Sequence, residues 1–75
     1  MKRIVVNPQK MAELRVKAGY SQNSLAKESD TSSALISRLE AGTSNPRPSS
    51  AAKICRALNL NFDELFTYSE QEGVQ

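Results

Sequence analysis

Few side chains in this sequence of 75 residues could carry out a chemical reaction. The chain contains no histidine, and its single cysteine, Cys55, cannot form an intramolecular disulfide or supply a site with several thiolate ligands. The acidic residues are scattered, so no nucleophile is paired with a base and no metal-ligating cluster is visible. The composition therefore predicts a protein that is not an enzyme and that takes no metal, cofactor or small-molecule substrate.

A different chemistry, hydrogen bonding, is available in the segment SSALISRLEAG, residues 32–42. Ser32 is a favourable N-cap and Gly42 a favourable C-terminal residue, which predicts a helix over residues 33–41. On a helical wheel, one side of this helix gathers an anchoring set: Leu35, Ile36, Leu39 and Glu40. The opposite side gathers small or polar residues: Ser33, Ala34, Ser37, Arg38 and Ala41. Taken by itself, this second side is typical of a solvated helix face.

The charge of the chain is unevenly distributed, although its formal net charge is only +2. Residues 1–56 contain all ten lysines and arginines and four acidic residues, a balance of +6. Residues 57–75 contain four acidic residues and no basic one, a balance of −4. A basic body suits a polyanion such as nucleic acid, and the acidic end is expected to point away from it.

Capping residues and apolar spacing predict five helices and no regular strand. The expected helices span about 8–18, 22–28, 33–41 and 48–58, and a fifth begins at Asn61, where Glu64 completes a capping box. The fold is therefore predicted to be all-α, a compact five-helix bundle over residues 8–68. Residues 1–7 are expected to form an N-terminal arm that contains the short extended segment RIVV. Residues 69–75 are expected to form a flexible acidic tail.

The second and third predicted helices are joined by a three-residue turn, an arrangement that indicates a helix-turn-helix. Over residues 8–66, the chain resembles the DNA-binding domain of the phage repressor, Cro and xenobiotic-response-element regulator family, a lambda-repressor-like fold. The matching residues are Leu14, Arg15, Gly19, Ser21, Gln22, Leu25 and Ala26, the segment 32–42, then Pro46, Pro48, Lys53, Ile54, Ala57, Leu58 and the segment DELF at 63–66. One departure is Asp30, which stands where the family commonly has glycine; aspartate tolerates left-handed geometry better than most residues.

The resemblance implies how the chain would contact double-stranded DNA. The third helix would lie in the major groove, with Ser33, Ala34, Ser37 and Arg38 nearest the base edges. Contacts to the sugar-phosphate backbone would come from Gln22, Ser32, Thr43, Ser44, Asn45 and Arg47. Arg15 and Glu40 would form a structural ion pair. Arg38 is the strongest base-edge donor of the set.

The resemblance also implies a sequence-specific transcriptional regulator that binds a palindromic operator as a homodimer. Phe62, Phe66 and Tyr68 are the candidate dimer contacts, because the fifth predicted helix carries more apolar surface than a short terminal helix can bury. The alternative is a protein-binding module on the same fold, such as an antirepressor that captures another regulator or an antitoxin. Because no targeting or membrane-spanning segment is visible, a cytoplasmic location is expected.

Overall fold

The computed structural model describes residues 2–70, so Met1 of the predicted arm and residues 71–75 of the predicted tail lie outside the described residues. Strand β1 (Lys2–Val6) is followed by four helices: α1 (Pro8–Lys17), α2 (Gln22–Glu28), α3 (Ser33–Ala41) and α4 (Pro48–Leu58). A single 3₁₀ turn (Phe62–Glu64) then leads into strand β2 (Phe66–Glu70). Among these elements, no helix has the length and apolar character needed to cross a lipid bilayer.

Several ends of the four helices are set by residues that the sequence indicated as caps, while α4 begins at Pro48 without a side-chain cap. The backbone N–H of Lys10 donates to Oδ1 of Asn7 at 3.1 Å at the start of α1, and Ser21 caps α2 in a reciprocal box with Ser24. Gly42, with φ of 75°, ends α3 in the left-handed conformation that glycine adopts without strain. The predicted limits of all four helices are therefore confirmed to within about one residue.

The turn between α2 and α3 is held by a buried hydroxyl. Asp30 adopts the left-handed conformation with φ of 57°, which accounts for the replacement of the usual glycine by aspartate. Ser29 is buried, and its hydroxyl donates to the carbonyl of Leu25 at 2.7 Å. The hydroxyl oxygen of Thr31 lies 2.8 Å from that of Ser29, so both hydroxyl groups of the turn are satisfied. The α2–turn–α3 unit is thus defined by local hydrogen bonds.

The predicted fifth helix is wrong, and with it the all-α, five-helix architecture. The predicted capping box at Asn61 does form, because the backbone N–H of Asn61 donates to the Glu64 carboxylate at 2.8 Å, but helical structure ends after one 3₁₀ turn. The chain then becomes extended, since Phe66 and the residues after it alternate between apolar and polar and pair with β1. Pairing with a strand some 60 residues earlier in the chain therefore overrides the local helical signal.

Strands β1 and β2 form an antiparallel two-stranded sheet in which Ile4 faces Tyr68 and Val6 faces Phe66. The predicted arm is therefore an integral strand, and residues 69 and 70, assigned to the tail, belong to its partner strand. Ile4 and Val6 are almost fully buried, and Phe66 is fully buried. The sheet closes one end of a core that also includes Met11, Leu25, Ala26, Ile36, Leu39, Ala51, Ile54, Cys55, Leu58 and Leu65. This core fixes the orientation of α3.

Candidate nucleic-acid interface

Helix α3 has one side in the core and one side in solvent. Ile36 and Leu39 are completely buried, and Leu35 and Glu40 beside them are half-buried. The outer side of α3, as we call it below, is exposed and consists of Ser33, Ala34, Ser37, Arg38 and Ala41. The division into an anchored and a presented side therefore follows the helical wheel.

The chemistry of the outer side of α3 suits the edges of base pairs. Serine hydroxyls both donate and accept hydrogen bonds, so Ser33 and Ser37 fit either kind of edge group. The guanidinium of Arg38 carries five donors in a planar fork that matches the two acceptors of guanine. A small side chain such as Ala34 allows close approach and offers a methyl group to thymine. Apart from Arg38, whose long side chain can reach along the groove, the side chains on this side are small enough to allow close approach.

Glu40, on the half-buried margin of α3, joins α3 to α1. Its Oε2 lies 2.6 Å from Nε of Arg15, and its Oε1 accepts a second hydrogen bond from Nη2 of Arg15 at 3.2 Å. Nη1 of Arg15 donates in turn to the backbone carbonyl of Tyr20 at 2.8 Å. A forked arginine–carboxylate contact combines charge with fixed geometry. The two residues that the resemblance paired are thus in direct contact.

The same carboxylate also contacts Gln22, the first residue of α2. Nε2 of Gln22 donates to Oε1 of Glu40 at 3.1 Å, and the Gln22 side chain is half-buried. Helices α1, α2 and α3 are therefore linked through one side chain. No sequence signal predicted this contact, because its residues are 18 positions apart and neither belongs to a local capping pattern.

Further predicted phosphate contacts lie at the start of α3 and in the loop that follows it. Ser32 is exposed and accepts the backbone N–H of Leu35 at 3.1 Å, which leaves its own hydroxyl proton available for donation. In the loop, Thr43, Asn45 and Arg47 are exposed, whereas Ser44 is half-buried. Pro46, between them, is buried and anchors the loop to the body. The Thr43 hydroxyl donates to the backbone carbonyl of Arg38 at 3.4 Å, so the exposed donors that the loop presents are the amide of Asn45 and the guanidinium of Arg47.

The three candidate dimer contacts have different environments. Phe66 is fully buried in the core of its own chain, so it is unavailable to a second copy and its assignment as a dimer contact is wrong. Tyr68 is 63% exposed and stacks on Phe62, with 5.4 Å between ring centroids. Phe62 is half-buried and also lies 5.4 Å from the ring of Phe66. Phe62 and Tyr68 therefore form an aromatic pair whose outer ring is open to solvent.

Cys55 contributes to the core. Burial raises the pKa of the Cys55 thiol above its ordinary value, and the negative charge of Glu64 raises it further. A thiol with a raised pKa stays protonated at neutral pH and is a poor nucleophile. Across residues 2–70, no group of three histidine, cysteine, aspartate or glutamate side chains is arranged to hold a metal ion.

Comparison with known proteins reveals clear relatives. A family model described as helix-turn-helix matches residues 11–65. An uncharacterized HTH-type transcriptional regulator of Archaeoglobus fulgidus is 35% identical over 63 residues, which cover 84% of this chain and 90% of the relative. A second uncharacterized HTH-type transcriptional regulator, YgzD of Bacillus subtilis, is 31% identical over 62 residues, covering 83% of this chain and 94% of YgzD.

A solved structure is similar as well. The restriction-modification controller protein C.AhdI from Aeromonas hydrophila superimposes with a TM-score of 0.72 at 30% sequence identity. The match covers 76% of this chain and 86% of the controller protein. The similarity therefore extends over most of both chains.

Proposed function

This chain belongs to the helix-turn-helix family of the phage repressor, Cro and xenobiotic-response-element type, and we propose that it is a sequence-specific transcriptional regulator that reads double-stranded DNA with α3. At the coarser level of the family, the chain is a DNA-binding regulator and not an enzyme. The finer proposal is carried by one observation: α3 is anchored by fully buried side chains while its outer side is small, polar and exposed.

Sequence readout is assigned to the outer side of α3. Arg38 would donate two hydrogen bonds to guanine, a contact worth about 1–3 kcal/mol of discrimination. Ser33 and Ser37 would bond to base edges, and the methyl group of Ala34 would contact thymine. Because Arg38 is the strongest donor of the four, one base pair in each half-site is expected to dominate the preference.

Positioning on the duplex is assigned to residues around this helix. The N–H groups at the start of α2 and the amide of Gln22 would meet one phosphate, since a helix N-terminus attracts anions. Other phosphates would be contacted by Ser32 and by four loop residues: Thr43, Ser44, Asn45 and Arg47. Such contacts hold the helix in register and carry little sequence information themselves.

A homodimer on a palindromic operator is proposed as the working form. A single recognition helix spans a short half-site, so two copies one helical turn apart would give useful affinity. The stacked pair of Phe62 and Tyr68 supports this proposal, because a large aromatic ring that is 63% exposed gains stability when a second copy covers it.

Binding to random-sequence duplex DNA at increasing salt tests the DNA-binding core of the proposal. Affinity should fall as the salt concentration rises, because each cationic residue that contacts a phosphate releases counterions on binding; the two Arg47 side chains of a dimer alone would give about a tenfold loss between 50 and 200 mM salt. The absence of duplex binding even at low salt would favour the alternative, a module that captures another regulator through the same face.

A further inference from the structure

We propose that Glu40 is a positioning residue for DNA binding. In the free protein, it holds the side-chain amide of Gln22 in the orientation in which that amide binds a DNA phosphate. The proposal rests on the proposed function, because it concerns how a phosphate contact is prepared. It adds a role for a residue that faces away from the outer side of α3 and would touch no DNA itself.

The contacts of the Glu40 carboxylate carry the proposal. Oε1 accepts a hydrogen bond from Nε2 of Gln22 at 3.1 Å and another from Nη2 of Arg15 at 3.2 Å. Oε2 accepts a hydrogen bond from Nε of Arg15 at 2.6 Å. The carboxylate is largely shielded, with 9% of the Glu40 side chain exposed. Both oxygens are therefore engaged, and the end of the Gln22 side chain is tied to the C-terminal half of the same helix that would read the bases.

The chemistry of the Gln22 amide leaves it able to bind a phosphate while Glu40 holds it. A side-chain amide nitrogen carries two protons, and Glu40 accepts only one of them. The second remains available for a phosphate oxygen. A free glutamine loses much rotational freedom on binding, so a side chain already fixed in one orientation binds with a smaller entropic cost.

Arg15 makes this arrangement compatible with a phosphate nearby. A bare carboxylate close to DNA would repel the backbone, but the guanidinium of Arg15 contacts both oxygens of Glu40 and compensates its charge. The carboxylate can therefore act as a hydrogen-bond acceptor for Gln22 without adding net negative charge to the interface.

A double-mutant cycle on duplex binding tests the coupling. In the wild-type background, Gln22→Ala should weaken binding roughly tenfold to a hundredfold, the effect of one hydrogen bond to a charged group. In the Glu40→Ala background, the same change should weaken binding about twofold or less, because Gln22 is no longer oriented. Equal losses in the two backgrounds would overturn the proposal.

A stability control separates positioning from general weakening of the fold. Ile54→Ala removes most of a fully buried core side chain without touching the network, at a cost to stability comparable with that of Glu40→Ala, and the full effect of Gln22→Ala should persist in that background. Loss of the Gln22 effect in this background too would overturn a specific role for Glu40.

The outcomes also separate this proposal from the proposed function. If the wild-type protein binds no duplex at low salt, the proposed function fails. If it binds duplex and the cycle shows no coupling between Gln22 and Glu40, only the role of Glu40 fails.

A measurement on the wild-type protein covers the case in which Glu40→Ala does not fold. The side-chain amide of Gln22, followed by NMR relaxation in the free protein, should be markedly more ordered than that of Gln9, which is exposed on α1. On addition of duplex, the Gln22 amide protons should shift. A Gln22 amide as mobile as that of Gln9 would overturn the proposal.

Discussion

The carboxylate of Glu40 forms an ion pair with the guanidinium of Arg15, with 2.6 Å between Oε2 and Nε. Both side chains are largely buried: 9% of the Glu40 side chain and 15% of the Arg15 side chain are exposed. This contact ties the C-terminal part of α3 to α1, and the link to Gln22 extends it to α2. The helix proposed to read DNA is therefore held by an apolar anchor in the core and by a polar one at its margin.

Replacement of Glu40 by alanine should lower the free energy of unfolding by about 3 kcal/mol, because Arg15 is left shielded from water without its partner. Urea denaturation measures the change. Lys53→Ala is a control for an exposed ion pair, because Nζ of Lys53 lies 3.5 Å from Oδ2 of Asp30 at the surface. Loss of that pair should lower the free energy of unfolding by no more than about 0.5 kcal/mol. Equal effects of the two changes would contradict a structural role for the Arg15–Glu40 contact.

Replacement of Arg38 by alanine should relax the preference at one base pair of each half-site and leave the salt dependence of binding almost unchanged. Arg47→Ala, in the loop after α3, should instead weaken binding to all sequences and reduce the salt slope by about 2, one phosphate contact for each copy of the dimer. Binding titrations on matched and mismatched duplexes at several salt concentrations distinguish the two. Uniform losses for Arg38→Ala would identify Arg38 as a phosphate contact.

Replacement of Tyr68 by serine should shift the monomer–dimer equilibrium toward monomer and leave the fold intact, because the ring is 63% exposed in the single chain. Analytical ultracentrifugation over a range of concentrations reports the equilibrium. Val16→Ser provides a control of equal exposure on α1, and it should leave assembly unchanged. A wild-type chain that stays monomeric at every concentration, or a dimer insensitive to Tyr68→Ser, argues against the aromatic interface.

Replacement of Asp30 by glycine should stabilise the protein by about 0.5–1 kcal/mol, because φ of 57° strains every residue that has a Cβ atom. Asp30→Ala, in contrast, should destabilise it, since aspartate adopts the left-handed conformation more readily than alanine and the change also removes the contact with Lys53. Thermal unfolding of the two variants gives the sign of each change. A stabilising alanine would show that backbone geometry does not control this turn.

The four helices were predictable because their signals are local. Asn7, Ser21, Ser32 and Gly42 each lie within a few residues of the groups they cap, and the apolar spacing of α3 identified its buried side. The outer side of α3 followed from the same periodicity. Local capping rules and apolar periodicity thus account for the helices and for the outer side of α3, whereas the phosphate contacts were assigned from the family resemblance.

The terminal sheet and the Gln22–Glu40 contact were not predictable in this way. Asn61 and Glu64 form the expected capping box, yet the chain beyond them pairs with β1, and only that long-range partner reveals Phe66 as a core strand residue. Gln22 reaches Glu40 only once α2 and α3 have packed together. Both features arise from tertiary contacts that no local window of sequence contains.

Selection of bound sequences from a pool of random duplexes tests most directly whether α3 reads DNA. We predict enrichment of a palindrome whose half-sites are centred about 10 base pairs apart, each with a guanine that Arg38→Ala no longer selects. A pool that remains random after repeated rounds at low salt would contradict sequence readout by this helix.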